Sequence, residues 1–159
     1  MAWGLDLSAP RPYSLADILT GGRSASMRQG LAAMNDHFKA CPFCATIWPS
    51  REAFLEDRDL ELIGYQVDFE ELALGLFLFN HNTCKTTLAI RAVQLKDLYT
   101  GPVFKERKTG QKECPRYCLK TSELAACPAQ CECAWVRGLM QIILAWPKNP
   151  AVASSAGAG

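Results

Sequence analysis

The sequence predicts a small α+β protein, an antiparallel sheet with flanking helices and a long C-terminal helix. Three observations carry this expectation. Residues 60–90 hold three short strand-like runs in succession. "AWVRGLMQIILAW" (134–146) places Trp135, Leu139, Ile142, Ile143 and Trp146 at the spacing of one helix face. Two turns carrying thiols with the same two-residue gap, at 41–44 and 81–84, bracket most of the strand-like region.

The elements follow in order. Residues 1–24 are rich in Pro, Gly and Ser and read as an irregular arm. In "ASMRQGLAAMNDHFK" (25–39), Met27, Leu31, Met34 and Phe38 recur at helical spacing, which predicts a helix. Ser50 is a candidate N-cap for a short helix, "REAFLED", with Glu52 in its first turn. In "LELIGYQVDF" (60–69), Ile63, Tyr65, Val67 and Phe69 alternate with polar or small residues and predict one strand face, with Leu60 and Leu62 on the other, so the strand is expected to begin buried on both faces. "LALGLFLFN" (72–80) is a continuous apolar run that suits the middle of a sheet. "TTLAI" (86–90) is a third strand, and "AVQLKDLY" (92–99) has helical spacing. Pro147 ends the C-terminal helix, and 147–159 is small-residue sequence expected to be disordered.

Composition narrows the function. A chain of 159 residues suffices for a real core, so its eight cysteines need another explanation than stapling. The net charge is +1 and no Lys/Arg cluster stands out, so no nucleic-acid partner is expected. "KERKTGQK" (105–112) is basic but reads as an exposed loop. No run is long enough to span a bilayer, and the N-terminal residues lack a signal peptide's pattern. The expected compartment is the cytoplasm, where thiols stay reduced. Cysteine there points to metal or redox chemistry.

Cys41, Cys44, His81 and Cys84 form the first constellation. A tight Cys-x-x-Cys turn aims two sulfurs at one point, and the turn from His81 to Cys84 supplies a matching half. Together they offer the four ligands that tetrahedral zinc takes. The apolar run before His81 would anchor its turn in the core. An isolated cysteine is more often a small buried hydrophobe. Paired turns at matching gaps favour metal.

From "CPFC" to "HNTC" and the following strand, roughly residues 41–90, the chain resembles the zinc-ribbon class of metal-binding modules. That resemblance implies two knuckles on β-turns holding one zinc and tying a small ribbon-like sheet together. The second knuckle departs from the commoner pattern in having His, and residues 45–80 make a long insert. The whole chain is also similar to small, cysteine-rich bacterial proteins of unassigned function, a likeness that implies no activity. "CPFC" also resembles the Cys-Pro-x-Cys redox motif of glutaredoxin-type enzymes, but the strand–motif–helix context is missing. Ala45 stands where a c-type haem site needs His.

Cys114, Cys118, Cys127 and Cys131 form the second constellation, in the near repeats "CPRYC" and "CPAQC". Proline after the first cysteine of each suits the first position of a helix with cysteine as cap, where the helix dipole favours thiolate. Two such pairs can meet as a four-sulfur site. Cys133 is the alternative ligand, or a spare thiol. Two residues apart is about 200° around a helix, so Cys133 and Cys131 cannot share a metal unless the helix begins later. A second zinc, an iron–sulfur cluster, disulfides in an oxidising compartment, and unmetalled thiols all remain open for this set.

Residues 25–146 are thus expected to be one metal-binding domain, ribbon-like over 25–100 and Cys-rich and helical over 101–146. Few parts are left for catalysis. The chain has two histidines, and no Gly-rich phosphate loop is present. A zinc with four protein ligands is closed and therefore structural. The expected function is a non-catalytic metal-binding adaptor or regulatory protein with an unidentified protein partner. A redox protein, either an iron–sulfur carrier or a thiol sensor, is the alternative.

Overall fold

The computed structural model describes residues 36–149. The expected N-terminal arm, residues 25–35 of the expected first helix and residues 150–159 of the expected tail lie outside the described residues. The fold is α+β, with two small antiparallel sheets and a few helices. The first sheet is a minimal hairpin of β1 (Lys39–Ala40) and β2 (Ile47–Trp48), with Lys39 opposite Trp48 and Ala40 opposite Ile47. The expected helix over 25–39 therefore does not reach its end. Phe38 donates its backbone N–H to Trp48 O at 3.0 Å and packs its ring edge-on against Phe54. A neighbour across the hairpin, rather than a helix face, accounts for an apolar residue there.

Helix α1 (Arg51–Glu56) begins as expected. The Ser50 hydroxyl accepts from the Ala53 N–H at 3.1 Å, which satisfies one of the orphan donors of the first turn. Its buried Phe54 and Leu55 face the core. Phe54 meets Trp48 and Phe79 edge to face, so one ring joins the hairpin, the helix and the central strand.

The second sheet has the order β3-β4-β5, antiparallel throughout, from β3 (Leu60–Gln66), β4 (Leu76–His81) and β5 (Thr86–Arg91). The middle position of β4 agrees with its apolar run. The run is shorter than expected, because Leu72–Leu74 is a 3₁₀ turn ahead of Gly75. The expected burial of β3 is corrected at Ile63. Leu60, Leu62 and Tyr65 are buried, whereas Ile63 is exposed. A bulge between Leu62 and Gly64 resets the alternation, and a period read through it places Ile63 on the wrong face. Gly64 is required there, since a Cβ would lie 2.3 Å from Thr121 O. That carbonyl accepts the Tyr65 N–H at 2.9 Å, docking the Cys-rich segment on the strand.

Residues Ala92–Leu98 are helical, as expected, but wind as 3₁₀. Helix α2 (Ala134–Leu144) packs against them. Its buried face is Trp135, Val136, Leu139, Met140 and Ile143, with Ile142 only half-buried and Trp146 beyond the helix end. These residues, with Leu60, Phe77, Phe79, Leu88, Ile90 and Leu95, make one core. Residues 147–149 do not start a loose tail. Lys148 Nζ donates to the carbonyls of Leu55, Asp57 and Leu60 at 2.8 to 3.0 Å, and Asn149 N–H donates to Glu56 O.

Candidate metal centre

Two hairpins carry the first constellation. In the first, Cys41 N–H donates to Thr46 O at 2.8 Å, and Ala45 N–H returns to Cys41 O at 3.0 Å with Ala45 at φ 59°. In the second, the β4–β5 turn, Lys85 N–H returns to His81 O at 2.7 Å with Lys85 at φ 60°. The two turns have one design. A ligand opens the turn, a second follows three residues on, and the next residue adopts the left-handed conformation that closes the strands. Both ligand side chains then point to the same side of each turn.

The four ligand atoms lie within 4.8 Å of one another, a group that can hold a metal ion. Cys41 Sγ is 3.6 Å from Cys84 Sγ. His81 Nδ1 is 3.2 Å from Cys84 Sγ and 3.6 Å from Cys44 Sγ. Sulfur about 2.3 Å and nitrogen about 2.1 Å from a tetrahedral centre give edges of roughly 3.6–3.8 Å. The sulfurs are too far apart for a disulfide, whose S–S bond is about 2.05 Å, and all eight cysteines are free. The donor set therefore fits a tetrahedral metal.

Burial sharpens the fit. His81 and Cys41 are buried, and Cys44 and Cys84 half-buried. The Nδ1 of His81 faces the sulfurs, while its Nε2 is buried without a hydrogen-bond partner among the described residues. A metal on Nδ1 fixes the tautomer with hydrogen on Nε2. The ring packs edge to face on Trp48, with centroids 5.2 Å apart. Trp48 is held in turn by a 2.8 Å hydrogen bond from its indole N–H to the buried Asp57 carboxylate. Around Cys44, the Thr46 hydroxyl 3.2 Å away is the chief cause of a thiol pKa lowered to about 7. Desolvation pushes the Cys84 thiol upward. No protein-family model, curated protein sequence or solved structure matches the chain. The geometry alone carries the reading of this site.

The strand–motif–helix context of a Cys-Pro-x-Cys redox motif is absent, because "CPFC" is the tip of a hairpin. The second constellation differs from its expected form. No α-helix follows Cys114 or Cys127, and Arg116 takes the left-handed conformation ahead of a single 3₁₀ turn, Tyr117–Leu119. Neither cysteine caps a helix. Helix α2 does start late, with Cys133 as its N-cap residue. Cys118, Cys131 and Cys133 are buried together, and Cys114 and Cys127 are half-buried. Sequence reasoning missed Arg137, which is buried beside them. It stands about 200° round α2 from Trp135, off the apolar face, so the helix period gives no signal of its burial.

Proposed function

We propose that Cys41, Cys44, His81 and Cys84 bind one zinc ion in a closed, structural site, and that the protein is a non-catalytic, metal-stabilised adaptor or regulatory module. The observation that carries this is the convergence of four soft and borderline ligands from two like turns. Four protein ligands leave no position for substrate, which is the arrangement of structural rather than catalytic zinc. The likeness of the knuckles to a zinc ribbon agrees with two hairpins meeting at one metal. Phe43, 75% exposed, and Ile47, 58% exposed, project from the first hairpin, so the metal would brace a surface suited to protein contact.

The test is elemental analysis of anaerobically purified protein with an absorption spectrum on the same sample. Colourless zinc, lost in a Cys84→Ser chain, is the expected result. A metal-free, folded chain would refute it. One observation favours a second reading, a redox protein: the Thr46 hydroxyl stands 3.2 Å from the Cys44 sulfur, where it favours the thiolate. Iron with visible absorption would move the assignment to an iron–sulfur carrier. A fast-alkylating thiol in a folded chain without metal would move it to a thiol sensor.

A further inference from the structure

We propose that Cys118, Cys127, Cys131 and Cys133 form a second, all-thiolate metal site, with the buried guanidinium of Arg137 as its clamp and counter-cation. The inference does not depend on the first site. Cys118, Cys131 and Cys133 are at most 5% exposed and form a buried cluster of their own, covered by Phe69, Leu72 and Ala129. The sulfurs of Cys131 and Cys133 are 3.4 Å apart, close to a tetrahedral edge and well beyond bonding distance. The four sulfurs do not converge as the ligand atoms of the first site do, so binding would draw Cys118 and Cys127 inward. The Lys108 N–H donates to Cys131 Sγ at 3.2 Å, the kind of bond that supports a thiolate. Cys133 is the N-cap residue of α2, with no capping hydrogen bond from its side chain.

Arg137 is the independent observation. It is 1% exposed, and its Nη1 has no hydrogen-bond partner among the described residues. Its Nε and Nη2 donate to one carbonyl, Ala125 O, at 3.0 and 2.7 Å. The guanidinium also lies over the Tyr117 ring, 5.7 Å from its centroid. It thus ties α2 to the residue before Cys118 and to the segment entering Cys127. A buried cation without a bonded carboxylate is costly. The negative groups acting on it are Glu123 and the sulfurs of Cys127, Cys118 and Cys133. A dication held by four thiolates is doubly negative and adds to the counter-charge of Glu123. Cys127 is preferred as fourth ligand because its sulfur lies 4.0 Å from the carbonyl of Ala129, a residue packed on the buried cysteines. Cys114 is then a spare thiol, accepting only the Arg116 N–H at 3.4 Å. Each thiol releases its proton as the metal binds. All-sulfur tetrahedral coordination suits zinc or iron, which colour distinguishes.

The test loads the full chain with Zn²⁺ or Co²⁺ and counts bound metal. About two equivalents are expected for the wild type and for Cys114→Ser, and about one for Cys131→Ser. The cobalt absorption missing from Cys131→Ser should be the all-sulfur part of the wild-type spectrum. One equivalent in the wild type, unchanged in Cys131→Ser but lost in Cys41→Ser, would overturn the second site and leave the first standing. Two equivalents in Cys131→Ser would also overturn it. Alkylation of the wild-type chain covers the case in which the variant does not fold. Cys118, Cys131 and Cys133 should resist the reagent until a chelator is added. Blocking that yields to a reductant instead, or no blocking at all in the loaded chain, would contradict the proposal.

Discussion

In the first knuckle the Thr46 hydroxyl lies 3.2 Å from the Cys44 sulfur and lowers that thiol to about 7 from its ordinary 9.0. In the interval after chelation, before the fold is lost, Cys44 is therefore expected to be the fastest of the three cluster thiols to alkylate near neutral pH. Cys41 is buried, and the Cys84 thiol is raised. Because the folded-state value is depressed, the Cys44 thiolate contributes stability that is present above 9.0 and lost as pH falls through about 7. Thr46→Val should move the alkylation midpoint upward, read from labelling rates by mass spectrometry. Bound metal should protect the thiol in both chains. A Thr46→Val midpoint unchanged from wild type would remove the hydroxyl from this role. One shell out, Trp48→Phe keeps an aromatic ring against His81 but leaves Asp57 Oδ2 without its indole donor. A loss of about 1–3 kcal/mol in a urea melt is expected.

At the scale of elements, the two knuckles share a left-handed residue that is not glycine, Ala45 in one and Lys85 in the other. Lys85→Gly should stabilise the loaded protein by roughly 0.5–1 kcal/mol, the relieved backbone cost being partly offset by a freer unfolded chain. A drop in melting temperature would contradict that geometry. Gly64 is the opposite case. Gly64→Ala drives a Cβ into Thr121 O and should cost about 1–3 kcal/mol by the same melt. The Ser50 cap and the apolar middle strand were legible because each follows from local chemistry. The hairpin at 39–48 was not. Its strands have two residues each and carry no period to read. The bulge at Gly64 likewise defeats any fixed alternation, since its cause is a carbonyl from residue 121.

For the whole molecule, the first metal site adds a second tie between hairpin and sheet, beside the packing of Trp48 and Phe54 on β4. Cys41 and Cys44 belong to a two-stranded hairpin, and His81 and Cys84 to the three-stranded sheet. The ligand spacing makes this constellation readable from the amino-acid order alone, because metal chemistry demands residue types and gaps that packing does not. The Cys-rich segment is less legible. Its repeats suggest helix caps, but residues 114–131 contain no α-helix, and the lone helical signal belongs to α2. Arg137 is hard to read from sequence because its partners are a distant carbonyl and ring. If metal unites the two sheets, its binding energy is folding energy. Cys41→Ser should then lose cooperative unfolding even with zinc in excess. The most direct measurement is a thermal melt of the wild-type chain under reducing conditions, with and without a strong zinc chelator. The account predicts a cooperative transition that collapses when the metal is removed and returns when zinc is restored. An identical cooperative transition in both samples, with metal shown to be absent from the chelated one, would contradict it.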